Sequence, residues 1–439
     1  MIPQSVGLAA GLATSILIAR GLGPKGMGNY ALILSVSGLA TALSDLGIGQ
    51  TAIRFASRAA ATGDTAGQLA ILRWAFRLRM LLAGTISTTV FIFAPILAGT
   101  AWKEATLSPL VRLSLLTGLF TAAASIPTVY FQSLKRFKMN AAVMVGQTLL
   151  TAAGIVLIAV LKSWSLELII TVSVVATGLG AIVFMILIPR ESFFIRQEFR
   201  RQIGKTFINL LRAPRTRGDS SASLDSTSAN SFVLFMLVST VTVALTMRSD
   251  VWLMGYFLDK SQIGLYSVAT RFTLPLVVVL NALNTALWPR ASSITSHAKI
   301  SELIGKTVRL SGMVTFGGLL YSILVPLAMP LLFGSPYRSG IFVAQILCFR
   351  YCLSILICPI GVIGYSFGMV KVFWWINIIQ LIAVVIIDIL LLPRIGAVGA
   401  GLALIANELI NLILVSTIIW RRLVDIKDIE PLMKTSKIN

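Results

Sequence analysis

Eight ionisable side chains interrupt stretches otherwise built mainly from Leu, Ile, Val, Ala, Phe and Gly: Arg112, Arg248, Arg271 and Arg350, with Asp45, Asp250, Asp388 and Glu408. A charge in hydrocarbon is costly enough that it faces a water-filled cavity or a partner, so these residues mark either a path for a charged substrate or a set of structural ion pairs. Guanidinium groups suit anions such as phosphates because their donors form a planar fork. A membrane acid suits a proton or sodium ion, or the neutralisation of a cation on another helix. Both roles are open to Asp250, but pairing with Arg248 along one helix is not, since two residues turn through about 200°. Asp45, beside Gly47 and Gly49, is expected at a helix break or hinge, and Arg350 is a candidate partner for Glu408. Other chemistry has little to work with. The one histidine, His297, lies in a polar loop, and Cys348, Cys352 and Cys358 share one apolar segment, which indicates neither a zinc site nor a disulfide framework. No metal and no cofactor is expected.

The elements that must hold these charges are membrane helices. Of 439 residues 56% are hydrophobic and 12% charged, and the mean hydropathy of +0.89 excludes an ordinary soluble protein. A crossing of about 30 Å needs roughly 20 helical residues. Cutting the chain at charge clusters and Gly/Pro turns predicts twelve spans: 3–20, 28–53, 76–99, 109–132, 138–161, 166–189, 231–257, 263–288, 310–333, 341–367, 372–393 and 398–420. Transmembrane β-barrels, built from shorter alternating strands, are excluded. The first span has no basic n-region or small-residue cleavage site and reads as a retained helix that lacks an upstream segment.

A net charge of +21 would suggest nucleic acid in a soluble chain; here it reports topology. One set of loops carries 26 of the 37 Lys and Arg and the other only seven, from Arg20 to Arg394. The positive-inside rule makes the first set cytoplasmic, with both termini inside. The longest loop, 190–230, is internal. Ile195, Phe199, Ile203 and Phe207 at four-residue spacing, flanked by Arg196, Arg200, Arg201 and Lys205, predict an amphipathic helix on the inner leaflet, and the Ser/Thr-rich 213–230 a flexible linker. The expected division is therefore a six-helix lobe over 1–189, the loop 190–230, a second six-helix lobe over 231–422 and a cytoplasmic tail over 423–439.

A shift of 236 residues gives an ungapped partial match between the two halves: Leu22, Met27, Gly28 and Tyr30 fall on Leu258, Ile263, Gly264 and Tyr266, Asp45 on Asn281 and Arg54 on Arg290. Two lobes in one orientation, related by an axis near the membrane normal, would enclose a central cavity open to one side at a time.

The run Ala19-Arg20-Gly21-Leu22-Gly23-Pro24-Lys25-Gly26-Met27-Gly28-Asn29-Tyr30-Ala31, followed by Asp45-Leu46-Gly47-Ile48-Gly49, resembles the opening motif of the bacterial O-antigen and polysaccharide flippase family of the multidrug/oligosaccharidyl-lipid/polysaccharide exporter superfamily. Gln262 to Ala269 and Leu392 to Ala403 agree with it. The start is shorter than the family's usual one, and the loop around Ser220 to Ser228 is longer. The resemblance implies a transporter, not an enzyme, that moves polyprenyl-pyrophosphate-linked oligosaccharide to the outer leaflet of a bacterial cytoplasmic membrane. It also implies a monomer, a polysaccharide polymerase and glycosyltransferases as working partners, no nucleic acid, and a cavity lined by the first, second, seventh and eighth helices. The glycine-rich run lacks the Lys-Ser/Thr of a phosphate-binding loop, which argues against an ATPase.

Within that frame Arg248, Arg271 and Arg350 lie eight to ten residues from the outer ends of their spans, roughly 12–15 Å deep. Arg248 and Arg271 are the candidates for holding an anionic head group, with Arg54 and Arg20 near the inner and outer mouths; Asp250, Asp45, Arg350 and Glu408 are candidates for coupling or for structure. A cation-coupled drug or metabolite exporter on the same fold is the alternative, favoured by an acid-rich cavity. The outer loops are too short for a polymerase's catalytic domain, and a lipid II flippase usually carries two further helices.

Overall fold

The computed structural model describes residues 2–188, 226–292, 297–366 and 370–435, all helical apart from short turns. The predicted amphipathic segment around Ile195 to Phe207 and most of the linker lie outside these residues. Among the described residues nine helices are long and apolar enough to cross a membrane, or ten if one bent pair counts as a single span. The protein is an all-α, multi-pass membrane protein.

The first compact unit is Met1–Tyr256. It contains α1 (Ile2–Asp45), α2 (Ile48–Ala61), α3 (Thr65–Ile96), α4 (Ser108–Ala123), α5 (Ser125–Ser133), α6 (Phe137–Val160), α7 (Leu166–Ile186) and nearly all of α8 (Ser226–Phe257). At 1.5 Å per residue α1 is about 66 Å of helix, twice the hydrocarbon thickness. It is broken in the middle, where Gly23 takes φ 67° and Pro24 follows. Neighbours on either side of Gly23 show that the path reverses. Gly7 meets Val145 and Gly21 meets Trp164, so the first half climbs along α6; Lys25 then approaches Glu104 at 3.9 Å, and Asp45 ends beside Arg79, partway back along α3. The second predicted span does not run on to residue 53. It stops at Asp45, where Leu46 (φ 41°) and Gly47 (φ 78°) both enter the left-handed region. The chain restarts as the separate helix α2, whose Ile48, Ala52, Ala56 and Ala59 pack with Ile71, Leu72, Ile126, Val129 and Ile188.

Helix α8 is assigned to the second lobe by the even division of spans, yet it clusters with the first unit. Its Gly255 abuts Trp102 and Leu32, and its Arg248 abuts Gly38. The 54–75 stretch between the second and third predicted spans is largely helical: Asp64 caps α3 by accepting from the Gly67 amide at 2.8 Å, twelve residues before the predicted span begins.

The second unit, Phe257–Asn439, holds α9 (Lys260–Phe272), α10 (Leu274–Ser292), α11 (His297–Phe333), α12 (Ile341–Ser366), α13 (Val370–Ile395) and α14 (Ala397–Thr435). Helix α14 continues into the predicted tail, as far as Thr435. The eighth predicted span is bent by 47° between α9 and α10, because Pro275 has no N–H to offer the carbonyl four residues back. The carbonyl of Phe272 beside the bend accepts from Tyr321 Oη at 3.1 Å, and Cys348 Sγ lies 3.9 Å from it. Gly396 (φ 63°) turns α13 into α14, and Gln262 Oε1 occupies the space a side chain there would need while accepting from the Ala397 amide at 3.3 Å.

The positions that coincide in the internal repeat share an environment. Met27 and Ile263 are wholly buried, Gly28 and Gly264 are buried, and Tyr30 and Tyr266 are buried, each pair in its own unit.

Prolines within spans draw side chains to the carbonyls they orphan. Pro95 cannot bond the Phe91 carbonyl, and Arg112 Nε donates to it from α4 at 3.2 Å, its guanidinium 4.5 Å from the Phe91 ring centroid. Pro326 leaves the Ser322 carbonyl, which accepts from Gln345 Nε2 at 3.5 Å. Arg112→Met is therefore expected to destabilise the fold by ~1–3 kcal/mol, the cost of an unmet acceptor. Pro95→Ala in the same chain restores the missing N–H and should recover most of the loss, read as thermal midpoints in lipid nanodiscs.

Candidate functional site

The second half of α1 is packed on every side but one. From Ala31 to Thr41 the partly exposed residues are Ala31, Leu34, Gly38 and Thr41, spaced three, four and three apart, and the rest are buried. That spacing is one face of a helix, and Asp45 continues it four residues on. Arg248 of α8 lies on this open stripe. Its Nη2 would stand 2.9 Å from a side-chain carbon at Gly38, and its Cζ 3.2 Å. Arg248 is exposed and forms no ion pair with the described residues. Asp250, two residues on, is buried, and its Oδ1 accepts from the Val251 amide at 2.7 Å.

At the end of the stripe Asp45 Oδ1 bonds Arg79 Nη1 at 2.8 Å and accepts from the Gly49 amide at 3.2 Å. Arg79 sits in α3, fifteen residues from Asp64. Arg54 is exposed on α2, and Arg20 is exposed on the first half of α1, one turn before the Gly23 reversal.

In the second unit Arg350 Nη2 bonds Glu408 Oε1 at 2.7 Å and its Cζ lies 4.4 Å from the Tyr351 ring centroid. Arg350 is thus neutralised in place. Arg271 occupies the last turn of α9, partly buried, immediately before the bend. Because Cys348 touches the Phe272 carbonyl, Arg271 and Arg350 lie in one layer of this unit. Asp388 is fully buried on α13. Among the described residues no group of three His, Cys, Asp or Glu is arranged to hold a metal ion.

Comparison with known proteins places these elements in a family. The model described as "Polysaccharide biosynthesis protein" matches residues 2–211, and a second model of the same description matches residues 213–341. The chain belongs to the polysaccharide flippase family. A curated relative, "Probable flippase AglR" of Haloferax volcanii, is 22% identical over 171 residues, and the match spans only about a third of that protein's length, 36%, and 38% of this chain. Among solved structures, an inward-facing multidrug resistance MATE family transporter of the MOP superfamily aligns with a TM-score of 0.72 at 13% identity, covering 99% of both chains. The lipid II flippase MurJ, in an inward closed conformation, aligns with a TM-score of 0.72 at 14% identity, covering 95% of this chain and 86% of its own. At such identities these likenesses establish the fold.

In this flippase family member the charges fall into two groups. Arg112, Arg350 with Glu408, and Arg79 with Asp45 have local partners, whereas Arg248 lies open on the α1 stripe. Removing the cation from a buried pair leaves an uncompensated carboxylate, so Arg350→Met is expected to cost about 3–5 kcal/mol. The double change Arg350→Met with Glu408→Leu should recover most of it. Thermal unfolding of the four proteins in nanodiscs measures the coupling, and independent effects of the two changes would exclude a structural pair.

Proposed function

We propose that this protein is a flippase that carries polyprenyl-pyrophosphate-linked oligosaccharide from the inner to the outer leaflet of the bacterial cytoplasmic membrane, for assembly of a cell-surface polysaccharide. It is a transporter with no catalytic centre, and it works by alternating access, with twelve crossings in all and both termini cytoplasmic. Family membership and the names of the flippase relatives support the substrate class. The observation that carries the reading is the exposed Arg248 on the partly open stripe of α1, since a guanidinium without a carboxylate partner is stable at membrane depth only in water or against a transported anion.

In this reading Arg248 and Arg271 bind the pyrophosphate, each through charge-assisted hydrogen bonds that become available as the head group sheds water. Arg54 and Arg20 attract it at the inner and outer mouths. Asp45, Asp250, Arg350 and Glu408 hold the helices that present the cations. The polyprenyl tail stays in lipid while the sugar crosses inside the cavity, so the protein shields only the polar part. It acts as a monomer and receives its substrate from glycosyltransferases and delivers it to a polymerase.

The test is translocation of a labelled polyprenyl-pyrophosphate oligosaccharide in proteoliposomes. Losing one charge-assisted contact is worth about 1.5–3 kcal/mol, so Arg248→Ala and Arg271→Ala should each lower the rate at limiting substrate roughly 10- to 100-fold. Arg271→Lys, which keeps the charge but not the fork, should fall between. No translocation by folded protein over several glycans would shift the reading to a cation-coupled exporter of drugs or metabolites. Orientation is checked separately by single cysteines. In spheroplasts a membrane-impermeant maleimide should label Ser163→Cys, and should label Asp64→Cys only after lysis.

A further inference from the structure

Gly38 lies on a helix whose other residues at this level are buried, and the neighbour its missing side chain would meet is the guanidinium of Arg248. A carbon at that position would stand 2.9 Å from Nη2, 3.2 Å from Cζ and 3.4 Å from Nε, so all three atoms lie over the bare backbone of α1. Two of these separations are tighter than ordinary van der Waals contact, and Nη2 at least would have to shift. What yields is the far end of a long side chain, whereas at Gly21 the obstacle is the Trp164 ring at 2.1 Å. A methyl group at residue 38 would therefore displace the cation and leave the helices where they are.

We infer that Gly38 is a positioning residue for head-group binding: by omitting a side chain it lets the Arg248 guanidinium rest against α1 on the open stripe. This rests on the assignment of Arg248 to the anionic head group. The physical gain is in orientation. Arginine loses rotamer freedom on binding a phosphate, and a surface that already holds the fork in one plane removes part of that loss before the substrate arrives. The neighbouring hydroxyls donate along the helix, Ser37 Oγ to the Leu34 carbonyl at 3.2 Å and Thr41 Oγ1 to the Ser37 carbonyl at 2.8 Å. Alanine also has the higher helix propensity, so the substitution does not weaken α1 through its backbone.

The experiment is a double-mutant cycle on Gly38→Ala and Arg248→Ala in proteoliposomes, read as half-saturating concentration and maximal rate for a labelled polyprenyl-pyrophosphate oligosaccharide. A second readout is the rate at which phenylglyoxal modifies Arg248, measured by mass spectrometry of its peptide. The expected result is a Gly38→Ala protein of undiminished thermal midpoint, a changed Arg248 modification rate, and a half-saturating concentration raised several-fold with the maximal rate largely kept. In the Arg248→Ala background Gly38→Ala should change nothing further. An equal loss in both backgrounds would overturn the inference, since Gly38 would then act through packing alone, and so would an unchanged modification rate. Wild-type half-saturation in Arg248→Ala alone would overturn the head-group role of Arg248 and this inference with it. A normal response to Arg248→Ala combined with a silent Gly38→Ala would remove only the positioning role.

Discussion

A carbonyl released from a helix inside hydrocarbon has no water to bond, so every break in a membrane helix must carry its own replacement donor. This constraint organises much of what is visible in the two units. Pro95 frees the Phe91 carbonyl and Arg112 reaches it; Pro326 frees the Ser322 carbonyl and Gln345 reaches it; beside the bend at Pro275, Tyr321 donates to the Phe272 carbonyl. Polar residues that look functional in an apolar run are in these cases repairs to the backbone. Once they are accounted for, the charges that remain without such a task are few, and Arg248 stands out among them.

The same reasoning explains why one ion pair sits where a helix ends. Asp45 terminates α1, takes the Gly49 amide that opens α2, and bonds Arg79, so one carboxylate serves a helix end, a helix start and a neighbouring cation. Arg350 and Glu408 join the middle of α12 to α14. With these pairs closed, Arg248 on the open stripe of α1 is a charge that no described carboxylate cancels.

The fold class was legible because the length and apolarity of membrane helices are properties of consecutive residues. The break at Asp45 was legible too, from Gly47 and Gly49. Helix starts were less so: hydropathy ignores the polar turns beyond the membrane, and α3 begins at Thr65 although Asp64 is an ordinary helix cap that a capping argument would have found. The bend at Pro275 was passed over because a hydropathy window averages across a single proline. The partners of Arg112 and the contact between Arg248 and Gly38 join residues 21 and 210 positions apart, and no local pattern announces them. The site therefore divides by range: residue types were evident in the chain, and their pairings only in the packed helices.

Helix ends in the first unit show one further habit. Lys103, Lys135 and Lys162 take left-handed conformations, with φ 54°, 57° and 49°, at the turns that follow the π-turn after α3, α5 and α6. Glycine would adopt this geometry at less cost. Lysine adds an ammonium that favours a helix C-terminus and resists entry into hydrocarbon. Each of these turns is thus moored at the headgroup level like a float on a waterline. Helices held in this way resist piston-like sliding along the membrane normal far more than they resist tilting about their moorings.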